Sequence, residues 1–273
     1  RRMVANWSES LLAGMVLVGS PVRPFHLGEG PGGVEASARA LMLLMQLGFG
    51  YVLQGGAEQE AGQCASSNSS GFGTLVAMLD RTRAALPLMK EAEFLADRKR
   101  RSRLKDVLRV VRSNARQGRR FSLRVNSDLD LALLCLREHH EDSWVGSILE
   151  NVWRFMFERC ELLVFELWVH ESDGSEQLIA ADFGHPHSGV GFYVATRFFD
   201  RGFKTCMPGF ILAFAEAQAL AQCGFELWDL GGSNSSPMMQ YKPQVAIDMQ
   251  RAEFLDLFHS IQRRYQHGLA KQP

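Results

Sequence analysis

Two features of this sequence are built from residue types that do chemistry: one isolated acid and one dense run of cations. The acid is Asp229. Residues 225–243 read FELWDLGGSNSSPMMQYKP, an apolar strand-like run that ends on Asp229 and passes through Gly231 and Gly232 into a polar loop. Asp is a poor strand former. Its carboxylate therefore either caps the Gly-Gly turn through Asx-type hydrogen bonds or faces a reacting molecule. The cations are Arg98, Lys99, Arg100, Arg101, Arg103, Lys105, Arg109, Arg112, Arg116, Arg119, Arg120 and Arg124, twelve of the thirty Lys and Arg residues, with a single acid, Asp106, among them. The chain as a whole carries no formal net charge, so this window is offset by negative charge elsewhere. Such an internal asymmetry points to a localised anionic partner rather than to a generally adhesive protein. The predominance of Arg suits bidentate phosphate recognition. Nucleic acid, another anionic partner, and a plain solvated face are the three readings of this window.

Other signals exclude classes of function. The five cysteines, at 64, 135, 160, 206 and 223, have no paired spacing, which favours a reducing compartment and argues against a disulfide framework or a zinc knuckle. His185 and His187 stand two apart in GHPHSG without a third ligand in view, so no metal site is expected. The best apolar run, ALMLLMQLGFGYVL (40–53), is too short for a membrane span and is interrupted by Gln46 and two glycines. No membrane insertion is expected. The first residue is not Met, so targeting cannot be read from it.

The elements that must position these residues follow from pattern. Residues 1–33 read mostly as loop, with a helix over 34–47, a strand over 49–53 and a polar, small-residue loop over 54–73. Leu104, Val107, Leu108 and Val111 have helical spacing, so a helix over about 103–115 buries a narrow stripe and presents cations outward. RRFSLRV (119–125) alternates as a half-exposed strand with a basic wet face. Ser127 is the expected N-cap of the next helix, with Asp130 completing a capping box. A second helix follows near 144–159. Strands are expected at 162–169, 177–184 and 188–199, a helix starting at Pro208 and stopping at Gly224, and a last strand at 225–230. A helix between the last two strands makes them parallel. The fold class is α+β with a mixed sheet.

That order of elements is the order of the GNAT acyltransferase fold. Within it, GRRFSLRVNSDLDLALLCLREHHEDSWV resembles the leucyl/phenylalanyl-tRNA–protein transferase family, as do VFELWV, QLIAADFG and GFELWDLGG in their spacing, the last being similar to the family's eukaryotic branch. The resemblance covers roughly residues 87–260, and the first 86 match only faintly, around NWSESLLAGM. It implies a GNAT-like domain at 121–273 after a smaller, partly irregular domain at 1–120 that ends in the basic helix. It implies transfer of an amino acid, of the bulky Leu/Phe type, from aminoacyl-tRNA to the N-terminal amine of an acceptor protein, with no cofactor consumed. The twelve cations would then hold the tRNA acceptor stem, an A-form helix read by phosphate contacts and shape. Asp229 would orient the amine. An α-amino group titrates near 7.7–8.0, so roughly a tenth is neutral at pH 7 and no strong base is needed. Trp144, Trp228, Met207, Met238 and Met239 would line the aminoacyl pocket, thioethers being adaptable to apolar shapes.

The chain also departs from that family. A glutamate expected after the third strand aligns near Thr196 or Arg197, and a glutamine two residues beyond the aspartate aligns on Gly231. Replacing a carboxylate by Arg reverses the local electrostatics. A catalytically silent relative, serving as an RNA-binding or assembly subunit of a larger complex, is therefore the alternative. A coenzyme A-dependent N-acyltransferase ranks third, because RGFKTCMPGF lacks a Gly-rich phosphate turn and Pro208 removes an amide from the helix N-terminus.

Overall fold

The computed structural model describes residues 25–26, 31–46, 50–54, 74–78, 82–88, 96–140, 145–187, 190–233 and 239–269. Its elements, in chain order, are β1 (Phe25–His26), α1 (Pro31–Gln46), β2 (Gly50–Gln54), β3 (Thr74–Met78), β4 (Thr82–Pro87), α2 (Arg98–Arg116), β5 (Arg120–Val125), α3 (Leu129–His139), α4 (Ser147–Glu158), β6 (Leu163–His170), β7 (Glu176–His187), β8 (Gly191–Phe199), α5 (Pro208–Gln222), β9 (Leu227–Gly232), β10 (Ile247–Gln250) and α6 (Arg251–Leu269), with 3₁₀ turns at Arg201–Cys206 and Lys242–Gln244.

Seven strands form one sheet in the order β10-β4-β9-β8-β7-β6-β5, and β1-β3-β2 form a second, smaller one. In the large sheet every pairing is antiparallel except β8–β9. This is the mixed α+β, GNAT-like arrangement expected, and α5 is the crossover that makes β8 and β9 parallel. That pair shares a register only over Gly191–Tyr193 and Leu227–Asp229. Beyond those residues, no further β8–β9 pairs form.

Residues alternate across the sheet, and each face has its own core. Trp168 and Val164 of β6 and Phe183 of β7 point to the face covered by α1, α3 and α4, where Trp153 stacks on Phe183 at 5.2 Å. Leu167 of β6, Val194 of β8, and Trp228 and Leu230 of β9 point to the opposite face, covered by α5 and by Val107 and Val111 of α2. A third cluster joins Ala85, Leu227 and Met249 to Phe254, Phe258 and Ile261 of α6. Burial of several such side chains, each worth about 1.5–3 kcal/mol, fixes which face every strand residue sees.

Several expectations need correction. Strand β4, which precedes the basic helix, pairs antiparallel with β9 and β10 of the large sheet. The sequence reading missed β4 as a sheet member, β10 and α6. The N-cap of α3 is Asp128, whose side chain accepts from Leu131 N, rather than Ser127. Ser127 instead has its backbone N–H on the buried Glu166 carboxylate at 2.7 Å, because Asn126 turns the chain at φ 55°. Gly224 does end α5, at φ +85° with its N–H on Ala221 O. Among the described residues no helix is long and apolar enough to cross a membrane.

Candidate functional site

Helix α2 starts on its first cation, Arg98, and is capped by Asp97, whose side chain accepts from Arg100 N at 2.9 Å. Only Val107 and Asn114 of α2 are buried. At about 100° per residue, Arg98, Arg101, Lys105, Arg109, Arg112 and Arg116 fall on one narrow stripe opposite that packed side, and all six are exposed. The stripe runs about 27 Å at 1.5 Å per residue. Arg109 pairs with Asp106 at 3.0 Å. The other five have no ion-pair partner among the described residues. The amphipathic sequence pattern thus produces a cationic ridge.

The remaining cations of the window do different work. Arg119 binds Glu171 and Asn114 and approaches Cys206 Sγ at 3.5 Å. Arg124 pairs with Glu176 and lies over the Trp168 ring. Arg100 donates to Ala246 O at 3.2 Å. Arg103 donates from Nε and Nη2 to Gln244 Oε1 and stacks over Phe210, 4.6 Å from the ring centre. Arg120 and Lys99 are exposed.

One flank of α2 borders a cleft of about 860 Å³, lined by Thr82, Lys99, Ser102, Arg103, Asp106, Ser233, Gln240, Pro243, Gln244 and Asp248. Its lining is polar, with two cations, two carboxylates, three hydroxyls and two amides. The cleft sits where β9 ends, β4 begins and the 239–246 segment meets α2. That segment is held on its inner side as well. Lys242 is buried and donates to Leu230 O at 2.7 Å and to Gly232 O. Those carbonyls belong to β9 beyond the point where β8 has left it, so an ammonium supplies the donors a strand would have given.

Tyr241 lies under Arg197, 4.9 Å from guanidinium carbon to ring centre. Arg197 in turn makes a bidentate contact with Asp182, directly across the β7–β8 pair, and lies near Glu216 of α5. Burial pushes the Glu216 carboxyl well up, and the adjacent Asp182 carboxylate adds to this. Glu216 therefore keeps its proton well above the usual carboxylate range and accepts from Trp228 Nε1 at 3.2 Å. For Arg197, burial opposes its charge, but Asp182 more than offsets this and raises its pKa.

Asp229 is not in this cleft. It alternates with Trp228 and Leu230, so it points to the sheet face opposite α2. There it is 1% exposed, ion-paired with the equally buried Arg83, and accepts from Gly231 N at 2.8 Å. The expected shared cleft between Asp229 and the cations is thus corrected: the sheet separates them, and the carboxylate caps the turn. Gly231 has φ +75°, and a Cβ there would lie 3.3 Å from Tyr193, which accounts for glycine in place of glutamine.

The residues expected to line an aminoacyl pocket that the structure describes do not meet at this cleft. Trp228 is buried against Glu216, Met207 packs beside the same core in a left-handed conformation at the start of α5, and Met239 does not line the cleft. Trp144 and Met238 lie outside the described residues. Thr196 is buried. His185 and His187 are buried and kept neutral, each lowered to about 4 by burial. Sequence reasoning missed Arg83, Gln244 and Lys242. Of these only Lys242, in the quoted polar loop, stood near a residue already singled out.

No protein-family model matches the chain, and no curated protein matches it in sequence. Solved structures it resembles include FemX (13% identity, TM-score 0.46, covering 62% of this chain and 60% of that one). They also include L-PGS from Bacillus licheniformis (12%, 0.41, 61% and 57%) and a tandem GNAT protein from the clavulanic acid biosynthesis pathway (10%, 0.35, 48% and 43%). The chain spans 60% or less of the length of each of these. With TM-scores below 0.5, these likenesses carry no argument about function.

Proposed function

We propose that this protein is an aminoacyl-tRNA-dependent aminoacyltransferase, moving a bulky apolar amino acid of the Leu/Phe type to the N-terminal amine of an acceptor protein. The observation that carries the reading is the α2 ridge of six aligned, exposed cations beside a polar cleft on the same side of the sheet. A backbone of phosphates laid along the ridge brings its end to the cleft, where Lys99 and Arg103 meet further negative charge.

The chemistry asks little of the protein. The amine nitrogen attacks the ester carbonyl carbon, the carbon–oxygen bond to the tRNA ribose breaks, and the released ribose oxygen takes up the proton the amine loses. The ester is already activated, and about a tenth of an α-amine is neutral at pH 7. Holding the two together in the right orientation supplies the acceleration. Asp106 and Asp248, on the cleft lining, orient the neutral amine and stabilise the positive charge that develops on its nitrogen as it attacks. Asp229 takes no part in the reaction in this account.

A second reading has its own support. The acid expected to face the amine is sealed against Arg83, and of the two positions near which the resembled family has a carboxylate, Thr196 is buried and Arg197 is turned inward onto Asp182. Both observations favour a silent relative that binds RNA without transfer. One assay separates the two. Protein is incubated with radiolabelled leucyl- or phenylalanyl-tRNA and a peptide with N-terminal Lys or Arg. Label in the peptide, lost on reversing ridge charges in a folded variant, supports the transferase. Tight tRNA retention with no label supports the silent relative, and neither retention nor transfer removes both.

A further inference from the structure

The segment Gln240–Ala246 is held from two sides, and the two holds differ in kind. On its inner side Lys242 grips β9 carbonyls and Tyr241 covers Arg197, all within the protein. On its outer side it is held by two cations of the window, Arg100 on Ala246 O and Arg103 on Gln244 Oε1. Arg103 and Gln244 both line the cleft, and the Arg103 side chain is 31% exposed. Gln244 Nε2 also closes back onto Gln240 O at 2.9 Å. The strap is short and tightly turned, with the amides of Gln244, Val245 and Ala246 donating to Tyr241 O, Lys242 O and Lys242 O.

An anion entering this cleft competes for Arg103 Nε and Nη2 with a neutral amide oxygen, the Asp106 carboxylate lying 4.0 Å off on Nη1. A charge-assisted bond is roughly twice as strong as a neutral one, so the guanidinium changes partner. Gln244 then loses the contact that ties the strap to α2. We propose that Gln240–Ala246 is a ligand-released clasp: phosphate-bearing RNA in the cleft draws Arg103 from Gln244, the strap loosens, and Tyr241 uncovers Arg197. This inference rests on the RNA reading above and adds its regulation. The uncovered group would be a guanidinium fixed by Asp182 beneath the strap. A site cation would then become available only once the anionic partner is seated. Gln244 is a positioning residue in this scheme and touches no reacting atom.

Hydrogen exchange at the three strap amides tests the clasp, using the full chain with and without a tRNA acceptor-stem minihelix. With the minihelix bound, exchange at Gln244, Val245 and Ala246 is expected to rise about tenfold, the effect of about 1.4 kcal/mol lost from a local opening energy. The amide of Gly231, which donates to Asp229 on the other face, should stay unchanged. Gln244→Ala should raise strap exchange to a similar degree without RNA. Minihelix retained with strap exchange unchanged or slowed overturns the clasp and leaves RNA binding standing. Should the minihelix not bind, the RNA reading fails and the clasp, whose release needs that ligand, falls with it.

Discussion

Two sets of charges in this molecule use the same residue types for opposite ends. On α2, Arg98, Arg101, Lys105, Arg112 and Arg116 stand in water with no ion-pair partner among the described residues. Within the sheet layers, Arg83 and Lys242 are buried and Arg197 nearly so, and they are answered by Asp229, strand carbonyls and Asp182 respectively. Exposed charge is cheap to hold and available to a ligand. Buried charge is costly unless paired, and once paired it ties strands together. The difference separates cations left open to a ligand from cations that tie the fold together, a distinction that counting basic residues does not give.

The comparison predicts that substitutions separate into two groups, with stability effects on one side and binding effects on the other. Asp229→Ala or Arg83→Met leaves an uncompensated buried charge and should cost about 3–5 kcal/mol, read as a lower urea midpoint. A stable Asp229→Ala variant with intact tRNA binding and lost transfer would instead return the acid to a chemical role. The buried histidines come next. Their folded pKa of about 4 lies below the ordinary 6.5. The unfolded chain therefore takes up protons first, and stability is lost as pH falls from about 6.5 towards 4. At up to about 1.4 kcal/mol per unit for each proton, the loss is of order 3 kcal/mol per histidine. His187→Leu should flatten part of that acid limb in thermal melts.

Smaller effects sharpen the picture. Gly231→Ala should lose about 1–2 kcal/mol, the cost of a left-handed residue with a Cβ. Glu216 gives the opposite pH dependence to the histidines. Its folded pKa is raised, so the unfolded chain releases its proton first, and stability falls as pH rises above about 4.5. Glu216→Gln mimics the protonated form. Its advantage over the parent should grow between pH 5 and 8, by no more than about 1.4 kcal/mol per unit. A gap that stays constant with pH would mean Glu216 is ionised in the fold.

How much of this could be read from the sequence depends on whether the signal was local. Pro208 and Gly224 bracket α5 by local backbone chemistry, and the alternation in RFSLRV marks β5. The helical spacing around Leu104–Val111 gave α2 and its cationic side, although not the turn of Arg100 and Arg103 back onto the 240–246 strap. The strand β4 was hidden because its sheet neighbours, β9 and β10, lie more than 130 residues away in sequence. For the same reason Arg83 was invisible as the partner of Asp229. The face to which Asp229 points is set by strand alternation: it follows from Trp228 and Leu230 seeking the α5 side. The apolar company of that stretch was legible, but the identity of each covering helix was not.

The most direct test of the central claim is the salt dependence of binding between a tRNA acceptor-stem minihelix and the parent or an Arg101→Glu, Lys105→Glu, Arg112→Glu variant. These three sit on the ridge, make no ion pair among the described residues, and should each change stability by no more than about 0.5 kcal/mol. With about six phosphates contacted, the parent's slope of log affinity against log salt should be roughly −4 to −5. In the variant it should shrink by about half, with binding weakened at least 100-fold at low salt. Equal slopes and equal affinities for the two folded proteins would contradict the account.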